Sequence, residues 1–411
     1  MRHIFTLALW SFLFIFIKSF SQTDGVSLRL SGYVKTDVLF DSRQIDQLRE
    51  GHFSIIPKKE VLDANKKDLN AKANLNILSI QTRLAGTITG PDVLGAKSMA
   101  YFETEFFGST DATINTLRLR HAFLKFTWEN FEFLAGQFWH PMFVVECYPG
   151  TIGFNTGAPF QPFIRSPQLR FTTKLDFLKL IFTASSQRDF QSPGPEGNST
   201  VYLRNAVIPN LNAQLQVNFL DNSLIGAGVD FKRLAPRIKT VNNYTTNEKV
   251  EGLSFIGFLK FAIGSFTFKT EGVLGENLAE MVMLGGYGSF PIKDLKDTAL
   301  DKWGYTPNRN LSIWADISYG KEIEFGLFGG YTKNLGTKEN YQIFYGRNED
   351  ALDLLRVSPR VQFTFGKVKV ACEIETMVAR FGKVDRNDKG KVTDPKGVTN
   401  IRGQIAFTYV F

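Results

Sequence analysis

Cysteine is nearly absent: among 411 residues only Cys147 and Cys372 occur, so at most one disulfide can form, and no Cys/His spacing suggests zinc. Histidine is scarce, limited to His3, His52, His121 and His140. Beyond residue 21 there is no run of about 18 apolar residues, which excludes a membrane-spanning helix. Enzyme signatures are missing as well, with no GxSxG elbow, P-loop or HExxH. A barrel hydrolase needs a nucleophile or water activated by a base near its rim. His52 and His140 are candidates by position, but no serine pairs with either. The chain is therefore not expected to be an enzyme, to use a metal or cofactor, or to bind nucleic acid. Solenoid and propeller repeats are absent, and no linker divides the sequence. Gln191–Gly197 and Asp385–Lys396 read as turn-rich loops within a single domain.

What is present starts with an export signal. Arg2 and His3 precede an apolar run from Ile4 to Ile17, and Ser19-Phe20-Ser21-Gln22 places small residues where a signal peptidase reads. Residues 1–21 are expected to be a cleaved signal peptide, and the run is too short for a convincing transmembrane helix. Export permits a disulfide between Cys147 and Cys372, with two inert thiols as the alternative. Without Arg2 and Lys18 the formal charge falls from +8 to +6. That excess suits either anions in a lumen or loop lysines against anionic headgroups.

The 39 phenylalanines exceed ordinary usage. A soluble β-protein would bury such rings and place lysine and glutamate outside. Here many segments set apolar residues against polar, small or charged ones with a period of two. Leu28, Leu30, Val34, Val38 and Phe40 share one face, and Arg29, Ser31, Lys35 and Asp37 the other. The pattern recurs over 28–41, 72–90, 96–107, 115–128, 131–140, 167–175, 177–188, 208–220, 222–233, 250–263, 265–275, 309–319, 322–333, 355–365, 367–381 and 397–411. Only 250–263, apolar on both faces, leaves its orientation open.

The connections alternate in length. Glu129-Asn130, Asp176, Asp221, Gly264, Gly320-Lys321 and Gly366 are short, with Gly90–Gly95 the longest of that set. The others, 42–71, 141–166, 189–207, 234–249, 276–308, 334–354 and 382–396, are long, and only 108–114 is modest. Outer-membrane barrels have this asymmetry, with short periplasmic turns, long outer loops and an even strand count. The last strand sets Ile401, Gly403, Ile405, Phe407, Tyr409 and Phe411 on one face. A terminal Phe preceded by alternating aromatics resembles the signal read by the barrel-assembly machinery. The expected fold is all-β: a transmembrane antiparallel barrel of about 16 strands over 22–411, in the bacterial outer membrane, both mature termini periplasmic.

A charge on the lipid face at mid-bilayer costs roughly 2–4 kcal/mol. Arg29, Lys35, Arg118, Arg120, Arg170, Lys174 and Arg360 are therefore expected to point inward, as is Arg83, which follows Gln81 and Ser79. Asp37, Glu103, Glu105, Asp316, Glu373 and Glu375 are acidic candidates for the same surface. Such a lumen is either a salt-bridged wall that packs itself or a basic ladder facing an acidic one, and rings of Arg or Lys select anions. The loop 141–167, rich in Pro, Gly and Phe and poor in Lys, is expected to fold into the lumen and narrow it near Arg165, rather than cap the mouth. His121 shares a face with Leu119 and Phe123, which a protomer contact or a bulge would explain.

The sequence resembles the DcaP-like outer-membrane porins. The matching segments are Gly32–Asp37, Gln81–Leu84, Glu103–Gly108, Leu117–Phe123, Ala135–Trp139 and Arg165–Arg170, in the family's order over the first 170 residues. The resemblance implies a homotrimer of 16-stranded barrels passing small, often anionic solutes such as dicarboxylates by diffusion. Family arginines at the narrowing would carry over to Arg83, Arg118, Arg120 and Arg170. Only a few residues separate Gln22 from Leu28, so the periplasmic helical extension of some members has no counterpart.

Overall fold

A computed structural model describes residues 25–292 and 300–411, so the expected signal peptide lies outside the described residues. Alternating side chains build a cylinder from β1 Ser27–Asp41, β2 in two segments (Asn74–Leu78 and Arg83–Thr89), β3 Lys97–Glu105, β4 Arg118–Thr127, β5 Phe131–Trp139, β6 Arg165–Leu175, β7 Leu178–Ser185 and β8 Asn210–Leu220. It continues through β9 Ser223–Leu234, β10 Val250–Ile263, β11 Phe266–Glu276, β12 Arg309–Gly320, β13 Ile323–Asn334, β14 Ala351–Phe365, β15 Val368–Asp385 and β16 Lys391–Val410. Each strand pairs antiparallel with the one before it. The last closes on the first, with Val34 opposite Tyr409 and Val38 opposite Ile405. These 16 strands leave no open edge, which lets every mid-wall backbone group be paired.

One end of the cylinder carries the short turns 128–130, 176–177, 221–222, 264–265, 321–322 and 366–367, with 90–96 the longest. The start of β1 and the end of β16 lie there too, joined where Phe411 and Gly32 exchange backbone hydrogen bonds. Outward at this rim stand Phe177, Phe219, Tyr319, Phe365 and Tyr409, all exposed, an aromatic girdle of the kind that sits at a membrane interface. The long connections gather at the opposite end. The first holds a hairpin of Ile45–Leu48 and Phe53–Pro57, and the fourth a helix, Val201–Ala206. A small sheet of Gly285–Pro291, Trp303–Pro307 and Ile343–Arg347 stands over the same end.

Several expectations change. The segment 72–90 is broken at Ser79–Thr82, where Gln81 turns inward to Lys35 and Thr82 accepts from the Lys35 backbone. Ser79 consequently faces out, toward Thr36, and not inward with Arg83. The final long loop 382–396 shrinks to 386–390, because β15 and β16 run on as a hairpin beyond the wall. In β10 the inward residues are Ser254, Ile256 and Phe258, and the outward ones Leu253 and Phe255. The inner face is apolar there because it packs against an apolar loop. Cys147 lies inside in that loop, whereas Cys372 alternates with inward Glu373 and points out. The wall between them keeps the thiols apart.

Candidate functional site

The connection 140–164 lies within the cylinder. Phe143, Cys147, Phe154, Phe160 and Phe163 are buried, packing with Phe53 of the first hairpin, with Phe107 and Leu284, and with Trp314 and Phe328 of the wall. A Pro- and Phe-rich loop loses little by leaving water, and its stray backbone groups are met by wall side chains. Gly150 N donates to Asp316 Oδ2 at 3.1 Å, and Ile152 N to Glu373 at 2.5 Å. Lys35 Nζ donates to Ile152 O at 3.2 Å, Lys269 Nζ to Tyr148 O at 3.0 Å, and Ser312 Oγ to Phe160 O at 2.5 Å. Arg360 lies between the loop and the wall: a Cβ on Gly150 or Gly326 would sit 2.4 or 2.3 Å from its guanidinium, so a larger residue at either position would push that group away from Asp316.

Two chambers border this loop and share Phe143 and Val145. One, of about 280 Å³, is lined by Gln81, Arg83, Glu103, Arg120, His121 and the loop residues Thr151–Phe154. The other, of about 180 Å³, is lined by Lys125, Glu132, Arg170, Lys179, Gln214 and Phe138 among others, on the turn side.

Arg83 and Arg120 line the first chamber, with Arg118 and Arg165 clustered beside them, all in partnership with acids. Glu105 receives Arg118 at 2.6 Å, Arg120 at 2.8 Å and Arg83 at 3.3 Å. Glu103 receives Arg120 and lies 3.6 Å from Arg83. Arg165 reaches Asp189 at 2.5 Å and stacks over Trp139. Burial pushes the Asp189 carboxyl up, but Arg165 and Arg118 outweigh burial and hold it below the ordinary range. Asp189 stands in the fourth long connection, where no strand alternation could reveal it.

The remaining anticipated residues divide differently. Lys35 and Asp37 pair at 3.0 Å, and Asp37 also meets His52 at 2.9 Å and Gln404 at 2.8 Å. Arg360 grips Asp316 with bonds of 2.6 and 3.0 Å, away from the arginine cluster. Arg170 bonds Gln168 and the Trp139 carbonyl, and sits in the second chamber. Arg29 is exposed near the turn end, outside both chambers. Arg356, which strand parity turns inward with Arg360, lies outside the expected set and is fully buried against Glu373 and Glu375.

His121 faces inward because of a bulge. The β3–β4 register shifts between Glu103 and Thr104, so Arg120 and His121 are both buried and the alternation restarts with Phe123 and Lys125 inside. The loop histidines are held in packed surroundings. His52 lies edge-on to Phe107 and Phe154, and burial lowers its pKa despite Asp37. His140 is pushed down to about 3 by burial, with Arg170 and Lys232 adding to the effect.

No protein-family model and no curated protein matches the sequence. Solved structures do match its fold. The outer-membrane channel DcaP of Acinetobacter baumannii superposes with a TM-score of 0.69 at 17% identity, covering 95% of this chain and 99% of that one. OmpT, an outer-membrane protein of Vibrio cholerae, gives 0.57 at 12% identity over 95% and 99%. An anion-selective porin from Comamonas acidovorans gives 0.55 at 10% identity over 94% and 100%.

Proposed function

Starting from the DcaP-like porin fold of this chain, we propose that it is a passive channel of the bacterial outer membrane, with no chemical step, for small hydrophilic solutes, anionic ones such as dicarboxylates preferred. The observation that carries this reading is a closed wall, apolar outside and charged inside, with a loop fastened across the lumen and chambers beside it. Residues 141–167 act as the constriction. Lys35, Asp37, Arg83, Glu103, Glu105, Arg118, Arg120, Arg165, Arg170 and Arg360 line the inner surface, in mixed roles of contact with solute and support of the loop, and Arg29 stands at the exposed turn-end rim. The mature chain begins after residue 21, with both ends periplasmic, the alternating apolar residues up to Phe411 guiding assembly, and three copies associating as a homotrimer. The anion preference draws support from the basic excess of the chain and from the selectivity named for the Comamonas porin.

Purified protein in a planar bilayer is expected to give stepwise conductance, and vesicles carrying it to admit small carboxylates. A second reading, a non-conducting barrel, is favoured by the apolar packing of Phe53, Ile56, Phe154, Phe163, Met281 and Leu284 at the loop end. An intact bilayer of normal capacitance showing no steps at any voltage would select it and reject the channel.

A further inference from the structure

The inner wall on the turn side of the loop carries lysines in an unfavourable arrangement. Lys174 of β6 lies directly opposite Lys179 of β7, and Lys260 of β10 directly opposite Lys269 of β11. All four share the inward parity, Lys179 with buried Ile181 and Thr183, and Lys260 with buried Ile256 and Phe258. Like charges directly opposite on one sheet face are destabilising. Carboxylates offset them only in part. Glu132 lies 3.5 Å from Lys174 and 3.8 Å from Lys125, so one acid serves two cations. Glu146 of the loop reaches Lys179 at 2.7 Å. Lys269 bonds the Tyr148 carbonyl, and among the described residues Lys260 has no ion pair. Arg170 adds a guanidinium bonded to neutral oxygens. Asp316 of β12 lies directly opposite Lys269 but is gripped by Arg360, and Glu271 is buried against Trp314, so these six cations have Glu132 and Glu146 as their remaining acids.

The arginine cluster on the other chamber differs. Arg83, Arg118, Arg120 and Arg165 each touch Glu103, Glu105 or Asp189, and the side chains of Arg120 and Arg165 are only 2% and 1% exposed. Guanidiniums locked to carboxylates have spent their field locally. Lysine ammoniums are flexible, hydrated point charges, and low-dielectric walls focus their field into the lumen. An anion between the members of a pair relieves the repulsion, and weak contacts at several points let it leave.

We propose that Lys174–Lys179 and Lys260–Lys269 are the anion-selecting elements of this channel, and that the arginine cluster holds the loop and wall in place. This rests on the channel reading above. Reversal potentials across a tenfold KCl gradient test it. The wild type is expected to be anion-selective, less so at 1 M than at 0.1 M salt, because the screening length shrinks from about 10 to about 3 Å. The variant Lys174→Gln/Lys179→Gln/Lys260→Gln/Lys269→Gln is expected to keep conducting while its reversal potential moves to zero or changes sign. Lys174→Gln/Lys260→Gln, which relieves both repulsive pairs without touching the loop contacts of Lys179 and Lys269, is expected to melt no lower than the wild type and to move the reversal potential toward zero, which separates selectivity from folding. Arg118→Gln is expected to keep the wild-type sign. Unchanged selectivity in the lysine variant, or a loss seen only with Arg118→Gln, overturns the proposal while leaving the channel standing; a silent wild type rejects the channel reading itself and the proposal with it.

Discussion

Asp316 and Arg360 have side chains only 3% exposed, and the pair joins β12 to β14 while Asp316 also holds Gly150 of the loop. Removing one member of such a pair strands the other charge, typically at about 3–5 kcal/mol, whereas replacing both by apolar groups often costs much less. Asp316→Ala is therefore expected to lower the unfolding free energy in detergent by about 3 kcal/mol, and Asp316→Leu/Arg360→Leu to be less destabilised than either single change. Equal and additive losses in a double-mutant cycle would mean that the two charges act independently. Cys147 offers a check on burial that does not depend on charge removal. Its thiol donates to the Leu259 carbonyl at 3.3 Å, and burial, with Glu271 adding to it, pushes the pKa up to about 12. An ordinary cysteine ionises near 8.5 and reacts through its thiolate. Between pH 7 and 10 the folded protein is expected to show no rise in maleimide labelling at Cys147, whereas urea-unfolded protein labels readily. The sign is that of a raised acid: the neutral thiol persists up to the higher value. Asp189 runs the other way. With its folded pKa held below the ordinary 3.8, its contribution to anchoring Arg165 is fully present above pH 4 and is lost only as pH falls through the lower, folded value.

At the level of the element, the loop 140–164 is fastened to β1, β11, β12 and β15 by its backbone and to β7 by Glu146. Excising Tyr148–Gly157 and joining the ends with two glycines is expected to raise single-channel conductance severalfold and leave the strand content unchanged by circular dichroism. An unchanged conductance would mean that the loop does not bound the path. The strands were legible because their signal is local: in β8, Leu211, Ala213 and Leu215 alternate with Asn212, Gln214 and Gln216, and the structure places the first set outside and the second inside. Departures arise where distant contacts decide. The break in β2 exists because Gln81 leaves the wall for Lys35, and the bulge in β4 because Arg120 and His121 both find partners inside. The continuation of β15 and β16 to Asp385 and Lys391 rests on their pairing with each other, which a turn-rich composition conceals. Parity set Glu103 and Glu105 on the same surface as Arg83, Arg118 and Arg120 and left open a salt-bridged wall; it gave no sign of Asp189, which comes from a loop whose path no spacing encodes.

For the whole molecule, the decisive question is which side of the wall meets hydrocarbon. Leu215 and Gln216 are adjacent near the middle of β8, the former 41% exposed on the outer surface and the latter buried within beside the second chamber. In a soluble protein the ranking of substitutions at these sites is fixed by burial: an arginine at exposed Leu215 is nearly neutral, within about 0.5 kcal/mol, and a carboxylate at buried Gln216 is damaging. In a bilayer the order inverts. Leu215→Arg places a charge against acyl chains at a cost of roughly 2–4 kcal/mol, while Gln216→Glu sets a carboxylate directly opposite Lys179 in a polar chamber rich in cations and loses little. Refolding from urea into short-chain lipid vesicles, followed by heat-dependent gel mobility, measures both. Leu215→Arg is expected to fold with a clearly lower midpoint than the wild type and Gln216→Glu to stay close to it. The opposite order would mean that the apolar outer surface is covered by protein or water, and the barrel would then have to be read as a container rather than a wall through a membrane.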